Sequence, residues 1–448
     1  MCLMAGVATV DVTPPVGTWL AGFAGRYKGS EGIHDPLRSR ALVLEDGTTR
    51  LALITNDLLS LSFESVDELK QMIAEECGIP PEQVMHNCSH THSGPVMRRP
   101  SNRPGAWDDA LMATYQRKVV GAVKMALADL QPARLGVGRA EVQIGINRRE
   151  RTPDGGTKLG RNPDLPVAPY VDVWRVDDAD GHPRAIFFSH ACHPVTRAAD
   201  NYQISADYPG RAQEVVELVF PGCQAMFGQG CAGNINSEPC GGTFEDVFRL
   251  GTALGGAVVK AAALATTTPD VRLGYVYERV QVPLEDPPSV DVAEANVARA
   301  KQEYEQAVAT RGAEKAGGER AMLEWAQRVL DLSKQGATNL KMRYDMQAFA
   351  MNEAALVALP GEVFVEYQLN IAAASPFPFT TVLGVSNGCP SYIPTAAEFP
   401  FGGYEVDSSM RFYGATRLSP RCEEVILQAA DRLLRQLHDG SAQEVARV

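Results

Sequence analysis

The sequence predicts an α/β fold of the mixed α+β kind. Residues 1 to about 285 alternate short apolar stretches with amphipathic ones, the pattern of strands followed by helices. No internal repeat and no low-complexity linker divides the 448 residues. One domain over residues 1–448 is the simplest organisation, although the length alone would allow two or three.

Individual elements follow from apolar spacing and from helix-ending residues. Residues 51–57 are predicted to form a buried strand, and residues 63–77 a helix. That helix ends at Gly78, because glycine readily adopts the left-handed conformation found after a helix C-terminus. Further helices are predicted over residues 110–130, 212–219, 251–265 and 421–437, and strands resume over residues 343–359.

Residues 292–310 and 316–334 differ from the rest of the chain. They are rich in Ala, Glu, Lys and Arg and contain few β-branched residues, with Gly317 and Gly318 beside the break between them. This composition is typical of exposed helices. We therefore expect a helical hairpin inserted at about residues 288–336.

Charge and hydropathy exclude several classes of function. The net charge is −12 with a pI near 5.3, which argues against binding of nucleic acid or of an anionic membrane. No run of 18 apolar residues is present, so no transmembrane segment is expected. The N-terminus lacks the pattern of a signal peptide, and nine cysteines without a CxxC pair fit reduced thiols. These features predict a cytoplasmic protein.

Half of the eight histidines lie in two short motifs. One motif holds His90 and His92, and the other holds His190 and His193; each follows an apolar stretch predicted to be a strand. Ligand and catalytic residues concentrate at strand ends, and His90 and His92 would face the same side of an extended strand. Neutral imidazole is a common Zn²⁺ ligand. The alternative is that these rings only hydrogen-bond backbone carbonyls.

Two later segments supply oxygen donors. Glu362 follows an apolar strand that is broken by Pro360 and Gly361, and Tyr392 lies in a turn-rich loop. Taken alone, Glu362 is more typical of a helix N-terminus than of a metal ligand, and Tyr392 is typical of a core or surface position.

A series of short motifs runs from near the N-terminus to about residue 415. They are residues 6–14, 32–35, 89–95, 146–148, 193–194 with Asp207, 232–234, 360–362, and Tyr392 with residues 404–405. In order and spacing they resemble the motifs of the neutral, non-lysosomal ceramidases and their bacterial relatives. The resemblance implies a single zinc-hydrolase catalytic domain. Secreted members also carry a C-terminal β-sandwich, which we do not expect in this chain.

The same resemblance implies a Zn²⁺ ion held by His90, His193, Glu362 and Tyr392. His193 is preferred to His190 because it directly precedes Pro194, as in the family motif. Two imidazoles and two oxygen donors suit Zn²⁺ and leave a position for water, whose pKa the metal lowers to roughly 7.

The resemblance also implies roles for residues around the metal. His92 would be a general acid and base, while Arg148 and Tyr404 would hold the substrate carbonyl or the developing oxyanion. The alternatives are that Arg148 belongs to a solvated run of charges and that Tyr404 caps a turn. Asp207 either orients a ligand histidine or caps a helix.

One position departs from the family pattern. Ceramidases carry a serine after the Ala-Gly-Asn motif, where this chain has Asn236, followed by Ser237. Asparagine donates hydrogen bonds but cannot act as a nucleophile, so the change predicts altered substrate contacts and leaves ceramide itself open as the substrate.

The sequence thus predicts a zinc-dependent hydrolase that cleaves the amide bond of a small-molecule or lipid-like substrate through a zinc-activated water. The alternative in another enzyme class is a zinc-dependent lyase or glycan-modifying enzyme acting on a sugar. A zinc-stabilised binding protein is a third interpretation, which the separated His, Glu and Tyr donors disfavour because structural zinc sites are usually closed and Cys-rich. The oligomeric state is not predicted.

Overall fold

Two β-sheets of different size form the centre of the structure, a computed structural model that describes residues 2–98, 106–414 and 416–445. The strands are β1 (Met4–Asp11), β2 (Gly32–Ile33), β3 (Arg38–Glu45), β4 (Arg50–Asn56), β5 (Val84–Cys88), β6 (Gln131–Glu141), β7 (Gly145–Arg151), β8 (Thr157–Asn162), β9 (Tyr170–Asp178), β10 (Pro183–His190), β11 (Gln203–Ile204), β12 (Gln224–Gln229), β13 (Ile235–Ser237), β14 (Leu273–Pro283), β15 (Lys341–Met351), β16 (Ala354–Ala358), β17 (Glu362–Val363), β18 (Phe379–Leu383) and β19 (Tyr392–Ile393). The helices are α1 (Phe63–Cys77), α2 (Asp109–Ala128), α3 (Asp207–Val219), α4 (Phe244–Leu264), α5 (Val290–Arg311), α6 (Gly317–Lys334), α7 (Val365–Ala374) and α8 (Cys422–Val445).

The larger sheet has the strand order β12–β10–β9–β6–β1–β3–β4–β5. Its neighbouring strands are antiparallel, except that β4 pairs with β5, and β10 with β12, in parallel. The smaller sheet has the order β14–β15–β16–β18 and is parallel only between β16 and β18. The parallel strands β5 and β10 matter most for the site, because the loops that follow them carry histidines.

The two sheets face each other, and helices cover their outer faces. Along β3, Leu42 and Leu44 pack toward the smaller sheet, whereas Ala41 and Val43 pack against α1 and α2. This alternation follows from the two-residue period of a strand. Helices α3 and α4 cover the other half of the larger sheet, and α7 and α8 cover the smaller one. The predicted mixed α/β fold is confirmed as a four-layer arrangement.

The predicted helices are confirmed, with differences at their ends. Helix α1 has the predicted bounds, and Gly78 after it has a φ of 68° in the left-handed region. Helix α4 begins seven residues before the predicted start at residue 251. Thr243 and Asp246 form a capping box there, with each side chain bonded to the other residue's backbone N–H. The apolar spacing used for the prediction starts later than this polar cap.

Helices α5 and α6 pack against each other and are joined by a short turn at Ala313–Lys315. They occupy the segment where the sequence predicts an inserted hairpin, and they connect β14 to β15, which are antiparallel neighbours over eleven residues each. The assignment of residues 1–448 to one catalytic domain with an insertion stays a prediction.

Helix α4 is the one described helix that is long and apolar enough to cross a membrane by length and composition. One of its faces is buried against α3, β6 and β9, as in the core helix of a globular protein. The expected absence of a transmembrane segment therefore stays a prediction.

Candidate active site

The predicted histidines lie in loops that leave the larger sheet. Strand β5 ends at Cys88, and β10 ends at His190. His90 has a φ of 67°, in the left-handed region, so it turns the chain out of the strand. The prediction that His90 and His92 lie on an extended strand is therefore wrong, because the strand has already ended. Their rings nevertheless lie 5.0 Å apart between centroids.

A small parallel pairing brings in the oxygen donors. Strands β17 and β19 pair so that Glu362 lies opposite Tyr392. Gly361, which precedes the glutamate, has a φ of 89°, a conformation that glycine adopts without strain. This tight turn after β16 directs Glu362 toward the histidine loops.

His90, His193 and Glu362 form one buried group, called here the histidine–carboxylate cluster. Nε2 of His90 lies 3.2 Å, and Nε2 of His193 2.9 Å, from the same oxygen, Oε2 of Glu362. The other ring nitrogens face backbone carbonyls. His90 Nδ1 is 2.8 Å from the oxygen of Leu59, and His193 Nδ1 is 2.5 Å from that of Ala232.

The histidine–carboxylate cluster is short of positive charge. A neutral imidazole carries one N–H proton and can donate from only one nitrogen, yet both nitrogens of His193 bond to acceptors. Nε2 of His90 is buried beside the same carboxylate oxygen and makes no hydrogen bond to any described residue. Such an imbalance is costly in a buried position. A bound cation would correct it, and two imidazole nitrogens with a carboxylate oxygen suit Zn²⁺. The residues present therefore fit the expected metal.

The ionisation of the cluster agrees with a ligand role. Burial lowers the pKa of His193 to about 4, so its imidazole is neutral near pH 7. Burial acts to raise the pKa of Glu362, but the neighbouring His90 and His193 outweigh it and hold that pKa well below the usual range. Neutral nitrogen and ionised oxygen are the forms that bind a metal.

His92 lies beside the cluster, but hydrogen bonds do not hold its ring in place. Both of its ring nitrogens are shielded from solvent and make no hydrogen bond within the described part of the chain. Its ring packs edge-on against Phe23, with centroids 4.9 Å apart. The backbone of Gly22 packs closely against the same ring. A Cβ at this position would lie 2.5 Å from His92 Cγ, so a larger residue would displace the imidazole. Burial, followed by the neighbouring imidazoles, lowers the pKa of His92 well below its usual value.

Three tyrosines surround Glu362. The ring of Tyr392 stacks on His193 with an angle of 11° between planes, and Tyr404 packs edge-on against Tyr392 at 5.5 Å. The hydroxyl of Tyr413 donates a hydrogen bond to Oε1 of Glu362. Burial, with the carboxylate of Glu362, raises the pKa of Tyr413 and Tyr392 well above the usual range. Sequence analysis missed Tyr413, because nothing in its local sequence sets it apart.

Arg148 and Asn236 lie together on the neighbouring strands β7 and β13. Arg148 donates to Oε1 of Glu405 at 2.8 Å and to Oδ1 of Asn236 at 3.1 Å, and its guanidinium carbon is 5.3 Å from the ring centroid of Tyr392. Asn236 therefore reaches the site through Arg148. The alternative of a solvated charge run is wrong for Arg148 and Arg149, which are both buried.

A second buried group, called here the arginine–glutamate network, holds Arg148 in place. Arg149 donates to Glu398 at 2.6 Å and to Glu405 at 2.7 Å, and Arg151 donates to Glu398 at 2.7 Å. Every guanidinium of this network has a carboxylate partner. The network consists of Arg148, Arg149, Arg151, Glu398 and Glu405.

His190 and Asp207 take other positions. Nδ1 of His190 lies 2.8 Å from the backbone oxygen of Tyr170, and it is His193 that reaches Glu362. The carboxylate of Asp207 accepts from the backbone N–H groups of Tyr208 and Arg197, at 2.7 and 3.2 Å. These contacts do not cap the helix: α3 begins at Asp207, its N-cap residue is Ala206, and no side chain caps it by a hydrogen bond, so the capping alternative is wrong.

A cavity of about 330 Å³ opens above the cluster, near the lower end of the size range of small-molecule sites. It brings together His90, His92, Glu362, Tyr392 and Tyr404 with apolar side chains from several loops. Its lining also includes Gly22, Phe23, Leu59, Val96, Met97, Arg98, Arg411, Phe412 and Tyr413. Of these additional residues, none was predicted from sequence.

Known proteins share both sequence and fold with this chain. It is 27% identical over 252 residues to the neutral ceramidase of Mycobacterium tuberculosis, covering 51% of this chain and 38% of that protein. Neutral ceramidase B of Dictyostelium discoideum is 26% identical over 254 residues, covering 51% of this chain and 34% of that protein. The match thus spans little more than a third of the length of these relatives.

Solved structures give a longer match at lower identity. A ceramidase complexed with C2 superposes with a TM-score of 0.75 and 18% identity, over 98% of this chain and 76% of the other. The neutral ceramidase of Pseudomonas aeruginosa superposes with a TM-score of 0.72 and 20% identity, over 98% of this chain and 75% of the other. These likenesses show the fold.

The family model for the N-terminal part of neutral/alkaline non-lysosomal ceramidases matches residues 3–237. His90, His92, Arg148, His193 and Asn236 lie within that match, whereas Glu362, Tyr392 and Tyr404 are brought to them by the fold. The chain belongs to the neutral/alkaline non-lysosomal ceramidase family.

Proposed function

We propose that this protein is a zinc-dependent hydrolase of linear amides, in which His90, His193, Glu362 and Tyr392 hold the metal. One observation carries the proposal: the imidazoles of His90 and His193 converge on one buried carboxylate at a cavity wall, a donor set that suits a divalent cation. Membership of the ceramidase family supports the amide as the bond that is cleaved.

Bound Zn²⁺ would lower the pKa of a water to roughly 7 and polarise a carbonyl oxygen. His92 lines the cavity, and both of its ring nitrogens are free of partners among the described residues. It can accept a proton from the attacking water and pass it to the leaving amine, the role of a general base followed by a general acid.

Arg148 and Tyr404 are proposed to stabilise negative charge on the carbonyl oxygen. Arg148 is fixed by Glu405 and Asn236, and Tyr404 lines the cavity next to Tyr392. Donors held in place before the reaction stabilise a transition state well, on the order of 3 kcal/mol for one donor.

The neighbouring groups support attack by water over a covalent intermediate. Asn236 is not a nucleophile, and the hydroxyl of Ser237 donates to the backbone oxygen of Pro239 at 3.1 Å. Cys231 is fully buried, and burial raises the pKa of its thiol. Neither Ser237 nor Cys231 is therefore an activated nucleophile.

The test is an assay of zinc-loaded protein with a short-chain ceramide, an N-acyl ethanolamine and an N-acyl glycine. The proposal predicts release of a new amine from at least one of them, loss of that activity with a chelator, and its return with Zn²⁺. Failure to release amine from any linear amide would contradict it. New ultraviolet absorption from a uronide substrate would instead indicate the lyase alternative.

A further inference from the structure

The cavity above the histidine–carboxylate cluster has cationic walls. Two arginines, Arg98 and Arg411, line it, and Glu362 is the one carboxylate among the described residues that do so. That carboxylate already faces His90 and His193 and accepts from Tyr413. Apart from the proposed metal ligand, the cavity thus presents only positive charge.

These two arginines differ from those of the arginine–glutamate network. Arg148, Arg149 and Arg151 each donate to Glu398 or Glu405. In the described part of the chain, Arg98 and Arg411 have no carboxylate within 4.0 Å. Arg98 donates one hydrogen bond to the backbone oxygen of Cys389, at 2.8 Å. Nε of Arg411 is shielded from solvent and makes no hydrogen bond to any described residue.

More distant carboxylates do not neutralise them. Glu64, which acts on Arg98 electrostatically, is exposed at the start of α1. Glu303 and Glu319 act on Arg411, but Glu303 is exposed and Glu319 pairs with Arg311 at 2.7 Å. A partly buried guanidinium without a close anion is unfavourable, so a ligand that supplies the anion would be bound preferentially.

Both arginines lie near the reacting centre. The guanidinium of Arg98 stacks on the ring of Tyr413, 5.0 Å from its centroid, and Tyr413 bonds directly to Glu362. Arg411 is close enough to Tyr404 for each to affect the ionisation of the other. An anion bound by these arginines would therefore lie in the same cavity as Glu362 and His90.

We infer that the preferred substrates are N-acyl amino acids, whose carboxylate is bound by Arg98 and Arg411; this rests on the proposed amide hydrolysis. The carboxylate of an N-acyl amino acid is one carbon away from the amide nitrogen, which places it beside the reacting bond. The apolar side chains of Leu59, Val96 and Met97 offer a surface for the acyl chain. A neutral ceramide would supply no anion to either guanidinium.

The test compares N-dodecanoylglycine with N-dodecanoylglycinamide, which differ only in the charged group. We expect kcat/KM to favour the glycine by about tenfold or more, as for a charge-assisted hydrogen bond. Arg411→Gln and Arg98→Gln should each lower this ratio by about tenfold, and Arg411→Lys should lower it less. Arg435→Gln, which removes an exposed arginine paired with Asp431, is the matched control and should keep the ratio.

The outcomes separate this inference from the proposed function. Cleavage of both compounds with no preference, or with a preference for the glycinamide, overturns the inference and leaves amide hydrolysis standing. If neither compound nor a ceramide is cleaved, the proposed function fails. The substrate preference then falls with it, and calorimetry of both compounds with the zinc-free protein tests the carboxylate site alone. Weaker binding of N-dodecanoylglycine by Arg411→Gln supports that site, and equal affinities for the two compounds overturn it. Preference for the sulfonate N-dodecanoyltaurine would overturn the choice of carboxylate.

Discussion

The histidine–carboxylate cluster and the arginine–glutamate network are neighbouring groups of buried charges that are balanced in different ways. In the network, Arg148, Arg149 and Arg151 each have a carboxylate partner from the chain itself. In the cluster, both nitrogens of His193 bond to acceptors, and Nε2 of His90 lies 3.2 Å from the same carboxylate oxygen without a hydrogen bond to any described residue. The difference indicates that the network positions Arg148, whereas the donor atoms of the cluster suit a cation supplied from outside the chain.

The largest expected effect comes from removing an imidazole of the cluster. His90→Ala and His193→Ala should each lose most of the bound zinc and nearly all activity, because each removes a proposed metal ligand. Zinc content by elemental mass spectrometry, with turnover, measures this. His190→Ala is the matched control, since His190 faces the carbonyl of Tyr170, and it should keep its zinc. A full equivalent of zinc in His193→Ala would contradict the ligand assignment.

Breaking the network should change stability rather than metal binding. Arg149→Met removes one of the two partners of each carboxylate: Glu405 keeps Arg148, and Glu398 keeps only the partly exposed Arg151. Losing a fully buried partner should lower the free energy of unfolding, toward the lower end of about 3–5 kcal/mol. Urea unfolding measures this, and the folded variant should still bind zinc. Arg435→Met, at an exposed pair, should cost no more than about 1 kcal/mol. An equal decrease in the free energy of unfolding of both variants would contradict the claim that the buried pairs stabilise the fold more than the exposed pair.

His92 lies next to the cluster but is assigned proton transfer. His92→Asn should keep one zinc per chain and lower kcat by roughly 100-fold, as expected when a general acid–base group is lost. Metal analysis and steady-state kinetics on the same preparation separate the two properties. Loss of zinc together with activity would mean that His92 belongs to the ligand set. One ring nitrogen of each of His90, His92 and His193 lies within 4.8 Å of the others, so the three imidazoles are close enough to share a metal.

The smallest effect is expected where the network meets the site. Asn236→Ser shortens the side chain that accepts from Arg148, so activity on the preferred substrate should stay within about a factor of 100, the effect of one hydrogen bond to a charged group. Mass spectrometry of quenched enzyme should show no covalent adduct in the native protein. An adduct on Ser237 or Cys231 would contradict attack by water.

The histidines of the site could be predicted because their signal is local. Two motifs, each placed after an apolar strand, indicate His90, His92 and either His190 or His193 without knowledge of the fold. The choice of His193 came from the family motif. Glu362 and Tyr392 were expected only through the family resemblance, since a Pro-Gly turn and a tyrosine loop are common. Their alignment depends on the pairing of β17 with β19, which no local pattern specifies.

The rest of the cavity could not be predicted, because it depends on packing. Tyr413 reaches Glu362 from a short helical turn, Ser409–Phe412, that contacts α6. Arg98 and Arg411 come from distant parts of the chain and line the same cavity only in the folded protein. Gly22 approaches His92 from a loop near the N-terminus. None of these residues lies in a periodic pattern or in a turn of recognisable chemistry.

The most direct test of the central claim is an anomalous diffraction map, at the zinc absorption edge, of crystals grown with Zn²⁺. The account predicts one strong peak about 2.0–2.2 Å from Nε2 of His90, Nε2 of His193 and a carboxylate oxygen of Glu362, the usual lengths of zinc bonds to these atoms. The described chain also offers Asp178, Asp180 and His182 at the turn between β9 and β10, where Asp180 and His182 are exposed. Zinc at that turn with none at the histidine–carboxylate cluster would contradict the account.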